Sequence, residues 1–152
     1  MWQSVSIVAI SVLIGLAFNF FRQTRLPLFA DWSAKGQLNS AHRGDNLTIA
    51  FEEAEALYCD QQAVFIDARP RQQFEMGHIA GARNLPWEDF DRIFTRVMSE
   101  VPREATIITY CEGESCSLSL ELASALLERG YRHVRVLVDG WKLWQRYNLP
   151  IE

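Results

Sequence analysis

Three short apolar runs, each followed by a helical pattern, constrain this chain more than any other feature. They are Ala63-Val64-Phe65-Ile66, ending at Asp67; Thr106-Ile107-Ile108-Thr109-Tyr110; and Val134-Arg135-Val136-Leu137-Val138. Each is short for a helix, and the first two are too continuously apolar for a strand with one wet face. That composition marks strands of a parallel sheet, buried on both sides. Parallel neighbours cannot be joined by a tight hairpin, so the chain between them must cross over, usually as a helix. The intervening segments fit that demand. Residues 51–58 place Phe51, Ala54, Leu57 and Tyr58 at helical spacing. Residues 87–101 place Phe90, Ile93, Phe94, Val97 and Met98 on one face, with Pro102 as a stop. Residues 117–129 carry Leu118, Leu120, Leu122, Ala123, Leu126 and Leu127, with Gly130 as the C-terminal cap. A last helical turn or two spans 140–147, closed by Pro150. The alternation predicts an α/β fold, an open and mostly parallel sheet covered by helices on both faces.

The first segment is of another kind. Residues 2–21 contain no charged side chain and are apolar on every face. At ~1.5 Å rise per residue, about 20 residues cover the ~30 Å hydrocarbon core of a bilayer. Trp2 at one end, and Phe20, Phe21 and Arg22 at the other, suit the interfaces. A core helix would need more protein to wrap it than 152 residues supply. A cleaved signal peptide would need a basic residue before the run and a small-residue site soon after it. The expectation is one transmembrane helix over 2–21, a juxtamembrane linker over 22–46 and a folded domain over 47–152. Arg22 and Arg25 behind the span put that domain in the cytoplasm by the positive-inside rule. Pro27 ends the membrane helix, and Leu28, Phe29 and Trp32 suit a bilayer surface or a membrane-protein partner. Net charge is −4 with no Lys/Arg run, which argues against a nucleic-acid partner. Three cysteines, Cys59, Cys111 and Cys116, make no disulfide framework and suit a reducing compartment.

In open α/β sheets ligands bind beyond the carboxyl ends of strands, where a loop enters a helix. Tyr110-Cys-Glu-Gly-Glu-Ser-Cys-Ser117 occupies that place. Such a loop can turn successive N–H groups into one concavity, and the following helix start adds about half a positive charge. A thiolate at Cys111 would be stabilised there by hydrogen-bond donors, with no metal or cofactor required. On the loop alone, Cys111 fits a small buried apolar residue equally well.

Further motifs separate the two readings. Phe65-Ile-Asp-Ala-Arg69, followed by Phe74-Glu-Met-Gly-His-Ile-Ala-Gly-Ala-Arg-Asn-Leu-Pro86, resembles the signature of the rhodanese-like family. Ile108-Thr-Tyr-Cys111 resembles the strand that leads to the active loop of that family. Gly130-Tyr-Arg-His-Val-Arg-Val-Leu-Val-Asp-Gly-Trp141, with Trp144, resembles its last strand and terminal helix. The resemblance implies a five-stranded sheet between helices and sulfur transfer through a cysteine persulfide. Cys111 matches the sulfur-accepting cysteine, and Glu112, Gly113, Glu114, Ser115 and Ser117 match the loop that cradles it. Asp67 and Arg69 match a strand-end pair that holds the loop. His78 matches the motif histidine and reads as structural, Trp141 and Trp144 read as core, and Cys59 reads as buried and inert.

Five positions depart from the family pattern. Gln73 stands where an acidic residue is usual, and Asp139-Gly140 replaces Gly-Gly before the terminal helix. Glu112 and Glu114 stand in a loop that is often basic in members active on thiosulfate. Cys116 stands where many relatives carry Arg. It reads either as an inward-packed helix start or as a resolving thiol that would displace sulfur from Cys111. The expected function is a sulfurtransferase that takes sulfane sulfur from a donor and passes it to a thiol acceptor, with thiosulfate a poor substrate. A membrane-tethered dithiol redox module and a silent interaction domain are the alternatives. A Cys-x5-Arg phosphatase is excluded, because Ser117 stands where its phosphate-clamping Arg would be.

Overall fold

The computed structural model describes residues 47–113 and 117–152. The expected membrane helix and linker, and Glu114, Ser115 and Cys116 of the loop, lie outside the described residues. Among the described residues no helix is long and apolar enough to cross a membrane.

The chain runs α1 (Phe51–Cys59), β1 (Ala63–Asp67), α2 (Arg71–Glu75), β2 (Arg83–Asn84), a 3-10 turn (Trp87–Asp89), α3 (Phe90–Met98), β3 (Thr106–Tyr110), α4 (Leu118–Glu128), β4 (His133–Leu137) and α5 (Gly140–Arg146). Among the described residues the sheet is four-stranded in the order β2-β1-β3-β4. Every pair is parallel, with Asp67 beside Tyr110 and Tyr110 beside Leu137. Among the described residues four strands thus stand where five were expected. Residues 47–49 flank the outer edge of β4, where the Ile49 N–H donates to the Val136 carbonyl at 3.1 Å and the Val136 N–H to Leu47 at 2.7 Å. Pairing stops at a single bridge, Thr48 to Val136, because α1 begins at Phe51.

Alternation along β3 sorts the core into two layers. Ile107 packs with α3 and α4, beside Ile66, Leu85, Val134 and Val136. Ile108 and Tyr110 pack on the opposite face with α1 and α5, beside Phe65 and Leu137. Trp144, fully buried, anchors that second layer. Tyr58 meets it edge-on at 4.9 Å and Phe65 lies at 5.4 Å. Cys111 continues the first series and turns its side chain toward α4. The helix expected over 87–101 begins instead as the 3-10 turn, where the Asp89 N–H reaches the Pro86 carbonyl at 3.1 Å, and the α-helix itself ends at Met98. Cys59 is exposed at the end of α1, so burial does not account for it as expected.

Candidate active site

The carboxyl ends of β1, β3 and β4 release three segments side by side. From β1 comes Arg69. Its Nε sits 3.0 Å from both Asp67 carboxylate oxygens and its Nη2 2.7 Å from Oδ2. The same Nη2 donates to the Gly77 carbonyl at 2.8 Å, and Nη1 donates to Glu112 at 3.2 Å. The guanidinium also lies over the Trp141 ring at 4.5 Å, close enough for a cation–π contact. Both members of the pair are buried, Asp67 at 0% exposure and Arg69 at 2%. Burial pulls the Arg69 pKa down, but its hydrogen bonds and charge contact with Asp67, aided by Glu112, more than restore it, and the net direction is upward. This arginine ties the β1 end to the first residue after Cys111.

From β3 comes the loop. The Ala68 N–H donates to the Tyr110 carbonyl at 3.0 Å, holding the two strand ends together. Cys111 is buried, and its Sγ lies 3.3 Å from the Ser119 hydroxyl in the first turn of α4. Ser119 is itself buried, and its carbonyl accepts from the Thr109 hydroxyl at 2.9 Å. A thiolate or persulfide at Cys111 would thus find one hydroxyl donor and the positive end of an 11-residue helix. Ser117 caps that helix through its carbonyl, which accepts from the Leu120 and Glu121 N–H groups at 3.0 Å. Ser119 escaped the sequence reading. Its signal was a lone hydroxyl among the leucines of an otherwise apolar helix face.

From β4 comes the turn into α5. Asp139 adopts φ 57°, ψ 24°, the left-handed region. At Gly140 a Cβ would meet the Tyr110 Cβ at 2.7 Å, so only glycine lets α5 rest on β3. The Trp141 N–H then donates to the Cys111 carbonyl at 3.2 Å. Gly113 is buried against this turn. Tyr110, below it, has its phenol pushed far above the ordinary value by burial, reinforced by the Asp67 carboxylate.

A cleft of about 280 Å³ opens beside the loop, lined by Arg69, Gln73, Met76, Glu112, Trp141 and Gln145. The Glu112 carboxylate is half exposed there. A larger groove of about 780 Å³ lies at the other edge of the sheet, near Thr106 and His133, and includes no loop residue. His78 is structural in its contacts: the ring stacks on Phe74 at 3.6 Å and Nδ1 lies 2.9 Å from the Phe74 carbonyl. No metal-ligating cluster occurs among the described residues.

Comparison with known proteins places this geometry. The family model described as "Rhodanese-like domain" matches residues 50–147. YibN of Escherichia coli is 32% identical over 99 residues, which cover 65% of this chain and 67% of that one. A tRNA uridine(34) hydroxylase of Erwinia tasmaniensis is 34% identical, covering 78% of this chain and 33% of its own. An HTH-type transcriptional regulator of Mycobacterium tuberculosis is 29% identical over 60% of this chain and 38% of its own. The matched region thus spans a third to two thirds of these relatives. Among solved structures, thiosulfate sulfurtransferase from Pseudomonas aeruginosa superposes with a TM-score of 0.60 at 25% identity, over 78% of this chain and 22% of that one. The parallel sheet, the cysteine at the end of its central strand and the matched span together make this chain a member of the rhodanese-like domain family.

Proposed function

We propose that the domain is a sulfur carrier that holds sulfane sulfur as a persulfide on Cys111 and passes it to a thiol. The observation that carries this reading is the placement of Cys111 Sγ at the end of the central strand, 3.3 Å from Ser119 and facing the start of α4. The likeness to a sulfurtransferase supports it. The Cys111 thiolate attacks the sulfane sulfur of a donor and expels the donor's remaining anion. The outer sulfur of the persulfide then stands about 2.05 Å further out than Sγ. An acceptor thiolate attacks that sulfur, the S–S bond breaks, and Cys111 leaves as thiolate.

Cys116 is the candidate resolving thiol. Its attack on the inner sulfur would release hydrosulfide and leave a Cys111–Cys116 disulfide, with no outside oxidant. Glu112 and Glu114 add negative charge to the loop and favour donors other than thiosulfate, and the strand-end cation Arg69 is already engaged by Asp67 and Glu112. The uncharged run over 2–21 supports a membrane tether, with the domain on the cytoplasmic side and donor, acceptor or a membrane-protein partner met there.

Intact mass after exposure to polysulfide tests the reading. Wild type is expected to gain a sulfur atom, Cys111→Ser none, and Cys116→Ser to keep its sulfur longer than wild type. Retention of the added sulfur in Cys111→Ser would overturn the assignment of the nucleophile. An unchanged lifetime in Cys116→Ser would make Cys116 a packing residue.

A further inference from the structure

We infer that the cleft beside the active loop is where the sulfur acceptor docks, and that the acceptor it fits is a cysteine inside a polypeptide with a lysine or arginine next to it. The inference rests on the sulfur-carrier reading above and names the acceptor class of the same site.

Charge carries the first part of the argument. Arg69 Nη1 donates to Glu112 Oε2 at 3.2 Å, while its Nε and Nη2 serve the Asp67 carboxylate. One cation thus serves two carboxylates, and the group keeps a negative charge in excess. Asp67 is enclosed, whereas the Glu112 side chain is 51% exposed, so the excess meets the cleft at Glu112. The remaining side chains of the lining, Gln73, Met76, Trp141 and Gln145, are neutral. Neighbouring cations leave this balance as it is. On α2, Arg71 is paired with Glu75 at 2.7 Å. Lys142 approaches the loop at Gly113 together with Asp139, and neither it nor Arg146 lines the cleft.

Size and lining carry the second part. The cleft holds about 280 Å³, short of the roughly 300–1,000 Å³ of a pocket that engulfs a whole small ligand. It suits one or two side chains of a larger partner. Met76 stands on its wall at 77% exposure, an adaptable apolar contact. Gln73 and Gln145 each carry a donor and an acceptor on one amide, the pattern of a peptide unit.

Placement ties the cleft to the sulfur. Glu112 follows Cys111 directly, so their Cα atoms stand ~3.8 Å apart. In a polypeptide acceptor the residue beside the cysteine is displaced by the same step, which brings a basic side chain within reach of Glu112. The Trp141 N–H, 3.2 Å from the Cys111 carbonyl, fixes one wall to the backbone of the nucleophile. In the reaction the acceptor thiol gives its proton to solvent, a loss that the adjacent cation favours. The thiolate attacks the outer sulfur of the Cys111 persulfide. The S–S bond breaks, its electron pair leaves with Cys111 Sγ, and the acceptor cysteine departs as the persulfide.

The test uses the full chain preloaded with polysulfide, with loading verified by intact mass. The acceptors are capped tripeptides with a central cysteine flanked on both sides by lysine, glutamine or glutamate. Single-turnover discharge, corrected for thiolate fraction, is expected to be about fivefold faster with the lysine than with the glutamate peptide, as a partly exposed ion pair provides, with glutamine between. The ratio should approach unity in ~1 M salt, where screening acts over ~3 Å. Glu112→Gln, which keeps an oxygen for Arg69, should bring the three rates together. Gln145→Lys adds a cation to the lining without touching the loop, and it should also shrink the ratio. Equal rates in wild type, or a ratio unmoved by both variants, would overturn the inference. Cysteamine discharging as fast as the lysine peptide would overturn it too, since a free aminothiol would then suffice. If the chain does not load, the same peptides with serine for cysteine are titrated against tryptophan fluorescence. Tighter saturation by the lysine than by the glutamate peptide, levelled in Gln145→Lys, would sustain the docking site while the sulfur-carrier reading falls. A flat titration, or equal binding of the two peptides, would overturn the docking site as well.

Discussion

Replacing Arg69 by Met is the sharpest perturbation of this site. The apolar stem is kept, but the guanidinium that contacts both Asp67 oxygens, the Gly77 carbonyl and Glu112 is lost. Asp67 is left at 0% exposure with only neutral donors, the Arg69 backbone N–H at 2.9 Å from Oδ1 and the Tyr110 hydroxyl. Breaking a buried pair from one side costs ~3–5 kcal/mol, because the surviving charge stays uncompensated. Domains of this size hold ~5–15 kcal/mol in all, so urea denaturation followed by far-UV circular dichroism should show a large fall in the midpoint. The double variant Asp67→Leu/Arg69→Met removes the charge that the single variant strands and should recover more than half of the loss. Arg69→Lys should fall between, since an ammonium cannot fork across both oxygens while also reaching Glu112. A loss below ~1 kcal/mol in Arg69→Met, or a double variant weaker than the single one, would refute the reasoning. Either would mean that Asp67 is solvated by a path its burial does not suggest.

Three further outcomes follow from the same geometry. Gly140→Ala should lower the Tm by an amount equivalent to ~1–3 kcal/mol, because a Cβ 2.7 Å from that of Tyr110 must lift α5 off β3, outweighing the helix propensity gained. Tyr110, whose folded pKa lies above its ordinary value of 10.0, holds a stabilising contribution that is whole below pH 10 and declines as the pH rises beyond it, because the unfolded chain releases that proton first. Alkaline denaturation of Tyr110→Phe should therefore show a shallower fall in stability above pH 10 than wild type, and equal slopes would count against it. Glu112→Gln, alone and with Glu114→Gln, should raise thiosulfate:cyanide turnover, since a carboxylate roughly 6–8 Å from a dianion opposes it by a few kcal/mol at most. Wild-type turnover equal to that of basic-loop relatives would show that backbone dipoles outweigh the carboxylates.

Much of the architecture was legible because buried parallel strands and their crossover helices leave strong apolar patterns. The runs at 63–67 and 106–110 and the helix over 118–128 stand where periodicity put them. Smaller elements left no such pattern. α2 has five residues and buries none of them, and β2 pairs with β1 only through Arg83 and Asn84. The outer edge of β4 carries a bridge at Thr48, not a strand, a distinction that depends on where α1 starts. At the site, Cys111, Asp67 and Arg69 stood out through motif spacing. The Ser119 hydroxyl emerged only when helix phase and strand alternation were combined in three dimensions. Asp139 was visible as an unusual residue type, but its enclosed oxygen is a property of the packed turn. Cys59 shows the reverse error: a residue type that is usually buried sits at a helix end where the chain leaves the core.

The strand order has a consequence for the birth of the molecule. β1 draws its full-length pairing from β3, Ala63 with Thr106 through Asp67 with Tyr110, whereas its earlier partner β2 offers two residues. A nascent chain that has emerged only as far as β2 therefore carries an apolar strand, Phe65 and Ile66 included, with almost no sheet to join. Closure waits for β3, and β3 in turn is lined on its far side only when β4 arrives. Pairings this distant in sequence place the entropic cost of loop closure before the reward of contact, which slows folding and lengthens exposure of the sticky strand. The domain is expected to meet the ribosome's attendant chaperones during that interval, and a stalled chain ending between β2 and β3 should be the most aggregation-prone length of all.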